Sequence, residues 1–129
     1  MKNLNETEFN EKCAKFLDYK LLEGMYYGSV AIPKDTLHLG EVLDCTLITK
    51  SRFSTDWNWL QEVKAKICSL KIVDEFNTKY DSVAKGWNCG ITPGYNDTFR
   101  GFFSLTYSTE LEATLDIIQQ FLTWYENHV

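Results

Sequence analysis

The C-terminal segment constrains the fold most, because it predicts a helix with an apolar surface too wide for one neighbour. Thr109 and Glu112 form a capping pair that predicts where the helix begins, and the apolar periodicity runs to about Tyr125. One apolar stripe comprises Leu111, Leu115, Ile118, Leu122 and Tyr125, and a second stripe beside it comprises Ala113, Ile117, Phe121 and Trp124. Together they span about 200°, roughly twice what a surface helix buries. The helix must be covered on two sides, either by this chain, which we favour, or by another protein.

The remaining periodicity predicts two further helices. Asn5 and Glu8 are typical of a helix start, and they predict a helix over residues 5–19. A second helix is predicted to begin at Ser54 or Thr55 and to reach Leu70. We interpret residues 70–76 as its last turns rather than as a short strand.

Four segments predict strands. Residues 25–32 and 42–49 are β-prone and are separated by a loop over 33–40. Residues 80–91 and 98–107 predict an antiparallel hairpin, with Pro93 and Gly94 at the centre of a type II turn. The expected fold is therefore α+β: a single two-layer domain over residues 1–129, with three helices packed on an antiparallel sheet of about four strands.

Composition excludes several classes of function. Thirteen Lys and Arg residues against 18 Asp and Glu residues give a net charge of −5, which argues against broad nucleic-acid binding. Cys13, Cys45, Cys68 and Cys89 form no C-x-x-C pair, and neither His38 nor His128 completes a zinc spacing. We predict no catalytic residue, no metal site and no cofactor, and therefore a protein that is not an enzyme.

The same sequence carries no sign of a membrane or secretory segment. The first residues lack the apolar run of a signal peptide, and no run approaches the roughly 18 apolar residues of a membrane span. We therefore expect a cytoplasmic protein with free thiols.

Aromatic residues make up 15% of the chain, which is enough for a large core and also for an interface. If they exceed what the core requires, the surplus is expected to anchor a protein partner. The candidate protein-binding residues are Ala113, Ile117, Phe121 and Trp124 of the second stripe, Lys64 and Lys66 of the lysine-bearing stretch 64–85, Trp59, and Phe102.

Two segments carry a resemblance to a family. Residues 53–63 read Phe-Ser-Thr-Asp-Trp-Asn-Trp-Leu-Gln-Glu-Val, and residues 121–127 read Phe-Leu-Thr-Trp-Tyr-Glu-Asn. This W-x-W-L helix, followed by a hairpin and a C-terminal F-L-x-W-Y helix, resembles small uncharacterised bacteriophage and prophage proteins. The resemblance covers under a third of the chain and departs from the pattern at Glu126. It implies no activity, cofactor or catalytic residue; it implies a viral accessory gene expressed in the cytoplasm of a bacterial host.

In that context the leading hypothesis is a non-enzymatic accessory protein that binds and inhibits a host antiviral defence complex, as anti-CRISPR proteins do. The partner would be a host protein or ribonucleoprotein complex, and the protein itself a monomer or homodimer. One alternative is a small-ligand or nucleotide-binding sponge, in which Trp57, Trp59 and Trp87 line an apolar pocket. Another is a minor virion or replication component. A hydrolase that uses His38 with a cysteine ranks below these.

Overall fold

A computed structural model describes residues 5–25, 28–32, 46–47, 51–94 and 101–128. The elements are α1 (Glu6–Phe16), β1 (Lys20–Met25), β2 (Gly28–Ile32), β3 (Thr46–Leu47), α2 (Trp57–Ser69), β4 (Val73–Asp81), β5 (Gly86–Pro93), β6 (Phe102–Phe103) and α3 (Glu110–His128). The chain divides into two compact units, residues 4–60 and residues 61–129. The single domain over residues 1–129 stays a prediction.

The α+β class, with helices and antiparallel strands, is confirmed. The number of strands differs from the prediction of about four in one sheet. The described strands form two three-stranded antiparallel sheets, ordered β1-β2-β3 and β4-β5-β6. The predicted loop over residues 33–40 lies outside the described residues.

In the first unit, α1 begins as its capping pair predicts. The Glu8 amide donates to Asn5 Oδ1 at 2.8 Å, and Asn5 Nδ2 donates to Glu8 Oε1 at 2.8 Å. The helix ends at Phe16 rather than near residue 19, because Asp18 takes a left-handed φ of 63°. The Tyr19 amide then donates to the Ala14 carbonyl, which is the bond of a Schellman motif.

The start of α2 also differs by a few residues. Its cap is Asp56, whose Oδ1 accepts from the Asn58 amide at 2.8 Å, and not Ser54 or Thr55. Within the first unit, buried Phe53 meets Trp59 edge-on, with ring centroids 5.1 Å apart. Nδ2 of the buried Asn10 side chain donates to the Ser51 carbonyl at 3.0 Å.

The second unit is built from α3 lying on one face of the β4-β5-β6 sheet. In the β4–β5 register, Phe76 is opposite Ile91 and Thr78 is opposite Cys89, so these four side chains share the face that α3 covers. Thr78 Oγ1 donates to Glu110 Oε1 at 3.0 Å, which ties β4 to the first turn of α3. The Thr109 cap is confirmed, since its Oγ1 accepts from the Glu112 amide at 3.2 Å.

Three predictions about this sheet are wrong. Residues 73–76 are strand and not helix, because Phe76, Thr78 and Tyr80 alternate against buried or half-buried partners on β5. The predicted strand over residues 80–91 is interrupted by a turn at 82–85, which joins β4 to β5. A type II turn would need a positive φ at Gly94, and Gly94 does not have one. Its amide instead donates to the Ile72 carbonyl at 2.7 Å.

One part of the predicted hairpin is confirmed. Strand β5 pairs antiparallel with β6, with Ile91 opposite Phe102 and Gly90 opposite Phe103, and an isolated bridge joins Trp87 to Tyr107. Residues 95–100, which include the first three residues of the predicted strand 98–107, lie outside the described residues.

Candidate functional site

Most of the predicted binding stripe on α3 is core. Ala113, Ile117 and Phe121 have 0% exposure, so these three side chains cannot contact a partner, and that part of the predicted surface is wrong. The cause is that this chain covers the stripe itself, as in the favoured alternative. Trp124 is half-buried, and its ring is tilted against that of Phe121 with centroids 6.0 Å apart.

The other predicted binding residues on helices are also engaged within the chain. The Lys64 ammonium lies 5.1 Å from the centroid of the Phe76 ring, in a cation–π contact. Trp59 is half-buried, with the Arg52 guanidinium 6.0 Å from its ring centroid. Lys66 is half-buried on α2. These contacts hold the side chains in place but leave their role in partner binding untested.

Phe103, and not Phe102, is the aromatic residue of β6 that faces outward. Phe102 is opposite the fully buried Ile91 and therefore points to the α3 side, where it is half-buried. Phe103 is opposite Gly90, on the other face, and is 75% exposed. Successive side chains of a strand point to opposite faces, so one of this pair faces outward, and it is not the predicted Phe102.

The face of the sheet opposite α3 carries a depression, which we call the outer trough. It has a volume of about 420 Å3 and is lined by Asn77, Lys79, Asn88, Cys89, Gly90, Thr92, Phe103, Ser104 and Thr106. It forms because β5, the central strand, presents only small or short side chains on this face. The flanking strand β4 and the segment after β6 form its two walls.

Phe103 forms the apolar end of the outer trough. A Cβ at Gly90 would lie 3.2 Å from Phe103 Cδ1 and 3.3 Å from Cε1, so the ring packs directly against the Gly90 backbone. An aromatic ring that covers a glycine on a neighbouring strand shields the open backbone there. The rest of the ring is free to meet solvent or a ligand.

Helix α3 fixes the segment that carries Phe103. Asp116 is 3% exposed, and its Oδ2 accepts from the Leu105 amide at 3.1 Å and from the Tyr107 hydroxyl at 2.9 Å. Gln120 Nε2 donates to Asp116 Oδ1 at 3.0 Å and to the Phe103 carbonyl at 3.2 Å. Burial and the hydrogen bond to Asp116 raise the pKa of Tyr107 to about 12. A buried carboxylate thus holds a segment that has little strand pairing of its own.

A second exposed apolar surface lies at the end of the β4–β5 hairpin, and we call it the hairpin tip. It comprises Tyr80, Val83 and Trp87. Val83 is 92% exposed and Tyr80 is 53% exposed, while Trp87 is half-buried and meets Tyr80 at 67° with centroids 5.5 Å apart. The turn is held by Asp81, whose Oδ1 accepts from the amides of Val83 at 2.9 Å and Ala84 at 3.1 Å.

Reactive groups and metal ligands are not gathered into a site within the described residues. No group of three or more His, Cys, Asp or Glu side chains is placed to hold a metal ion in that part of the chain. Burial raises the pKa of the Cys13 thiol and raises that of Cys89 to about 12, so both are protonated at neutral pH. None of the described helices is long and apolar enough to cross a membrane.

Comparison with protein-family models, curated proteins and solved structures found no match to this chain.

Proposed function

We propose that this chain is a non-enzymatic protein-binding module and that the hairpin tip is its contact surface. The main support for this proposal is Val83, an aliphatic side chain that is 92% exposed at the end of a hairpin. Single exposed apolar residues are common on protein surfaces. Here, however, the exposed valine is in the turn that joins the strands of Tyr80 and Trp87, whose rings are in contact; tyrosine and tryptophan are among the residue types most enriched in those that dominate binding energy.

The turn supports this proposal because it is pre-organised. Two backbone amides are bound by the Asp81 carboxylate, so Val83 has little backbone freedom to lose when a partner binds. These hydrogen bonds also lower the pKa of Asp81, so the carboxylate is ionised at neutral pH and the turn is intact.

For the partner, we propose a host protein or ribonucleoprotein complex of antiviral defence, which the chain inhibits by occupying a surface. This part rests on the resemblance to bacteriophage and prophage proteins and on the absence of any predicted catalytic group. We propose that the protein acts in the cytoplasm of a bacterial host, as a monomer or homodimer.

The test is capture from a bacterial lysate that contains defence systems, with the full chain as bait, followed by affinity measurement on the captured protein. We expect one stoichiometric partner, and we expect Val83→Asp and Tyr80→Ala to weaken its binding at least tenfold. The matched control is Leu105→Ala, which removes an apolar side chain that is 66% exposed and belongs to neither the hairpin tip nor the lining of the outer trough. If the hairpin-tip variants bind as tightly as the original chain, the hairpin tip is not the contact surface.

A different alternative, a minor virion or replication component, predicts self-assembly. Sedimentation of the full chain at rising concentration would reveal it as large assemblies, whereas the inhibitor hypothesis predicts no species beyond a dimer.

A further inference from the structure

We propose that the outer trough binds a mononucleotide. The inference is independent of the protein-binding surface proposed above, because the hairpin tip and the outer trough share no residue. It rests on three side chains that line the trough, Phe103, Asn88 and Lys79, and on the space between them.

Phe103 supplies a stacking surface for a base. Its ring is 75% exposed and packs against Gly90, where no side chain competes for the space beside it. Bases stack on exposed aromatic side chains of sheet surfaces in many nucleotide-binding domains, and each such contact contributes substantially to affinity. The backbone that carries the ring is also held in position, since the Phe103 carbonyl accepts from Gln120 of α3.

Asn88 and Lys79 supply the polar contacts. They are directly opposite each other in the β4–β5 register, so both side chains lie on the trough face. Within the described residues, no hydrogen bond joins either side chain to another side chain. The Lys79 ammonium does interact electrostatically with the Asp81 carboxylate, two residues away on β4, and helps to lower the pKa of Asp81. By contrast, Asn77 Nδ2 is bound to Glu75, and Ser104 Oγ is bound to the Cys89 amide and the Leu105 carbonyl. A carboxamide offers both a donor and acceptor to a base edge or ribose, and an ammonium pairs with a phosphate.

The spacing suits one nucleotide. Asn88 lies two residues from Gly90 along β5, which is about 7 Å, and Lys79 lies one strand farther, at about 5 Å. The trough volume of about 420 Å3 falls within the range of small-molecule sites. Binding of a longer single-stranded nucleic acid is disfavoured, because the trough lining contains a single cationic side chain and the protein has a net charge of −5.

The test is an NMR titration of the full 15N-labelled chain with AMP, GMP, CMP and UMP, and with adenosine and inorganic phosphate for comparison. We expect at least one monophosphate to shift the amides of Asn88, Gly90 and Thr92, with a weaker effect from its nucleoside and a still weaker one from phosphate. The spectrum of each variant also reports whether the variant is folded.

Three variants separate the parts of the site. Phe103→Leu should weaken monophosphate and nucleoside binding about tenfold, since it removes stacking. Lys79→Met keeps the aliphatic stem and should weaken monophosphate binding about fivefold while leaving nucleoside binding unchanged. Lys85→Met is the control; this lysine is exposed in the turn and does not line the trough, so binding should not change.

Three results would overturn the proposal. One is that none of the four monophosphates shifts the trough amides at millimolar concentration. Another is that Lys85→Met weakens binding as much as Lys79→Met, because the attraction would then be diffuse. The third is that inorganic phosphate binds as tightly as the monophosphates, because the base would then contribute nothing.

Discussion

Asp116 offers the sharpest test of how the second unit is held together. Its carboxylate accepts from three donors, the Leu105 amide, the Tyr107 hydroxyl and the Gln120 carboxamide. Asp116→Ala removes all three acceptor contacts and leaves the donors facing an apolar methyl group. A buried hydrogen bond to a charged group contributes roughly 1.5–3 kcal/mol to stability. When the acceptor is removed, half-buried donors recover part of that free energy by bonding to water. Removing a buried charge also recovers some desolvation free energy.

We therefore expect Asp116→Ala to lower the free energy of unfolding by about 2–4 kcal/mol, or roughly 6–12 °C in Tm for a chain of this length. Asp116→Asn should cost less, about 1 kcal/mol. The amide oxygen can still accept from Leu105 and Tyr107, but its NH2 group then faces Gln120 Nε2. Gln120 cannot turn its carboxamide to accept from it without losing the bond from Nε2 to the Phe103 carbonyl. Tyr107→Phe, which removes one of the three bonds, should cost about 1 kcal/mol, and less when combined with Asp116→Ala, because the two changes remove the same bond.

Urea unfolding followed by circular dichroism and tryptophan fluorescence measures these differences. Thr123→Ala is the control on the same helix, since Thr123 is exposed and should change stability by no more than about 0.5 kcal/mol. The reasoning fails if the free energy of unfolding of Asp116→Ala lies within about 0.5 kcal/mol of that of the original chain. It also fails if Asp116→Asn destabilises the protein more than Asp116→Ala does.

Three further predictions follow from single residues. The pKa of Tyr107 is raised to about 12, so the contribution of its hydroxyl to stability is complete below pH 10 and is lost as pH rises from about 10 to about 12. Ultraviolet titration should show one tyrosine that ionises at a higher pH than the others, and this signal should be missing in Tyr107→Phe. Lys85 has a left-handed φ of 56°, so Lys85→Gly should stabilise the hairpin by about 0.5–1 kcal/mol in urea unfolding, whereas Lys85→Ala should not. Ile117→Ala should destabilise the protein by about 2–5 kcal/mol, as for a core residue; a neutral effect on unfolding would contradict its burial.

The starts of α1 and α3 were predictable because they depend on residues three apart in the chain. The Asn5–Glu8 pair and the Thr109–Glu112 pair both form as expected. The width of the apolar surface of α3 was equally local information, and its burial follows from it. These features need no knowledge of which elements meet in space.

The errors come from information that is not local. Residues 73–81 carry three acidic side chains on or beside the open face of the sheet, and only pairing with β5 selects the strand over the end of a helix. The choice between Phe102 and Phe103 required the register with Gly90 and Ile91. Asp116 gave no signal at all, because a charged residue inside an apolar helix pattern is assigned to the surface unless its distant donors are known.

Strand β4 has a consequence for how copies of this protein behave in concentrated solution. In the described sheet it lies at one edge, and nine residues of such a strand offer a long row of backbone groups to any other chain. Asp74, Glu75, Lys79 and Asp81 are spaced along it, and the register shifts between Val73 and Glu75. Charges and a bulge on an edge strand oppose the addition of a further strand. We therefore expect the charged residues of β4 to oppose edge-to-edge association of copies of this protein.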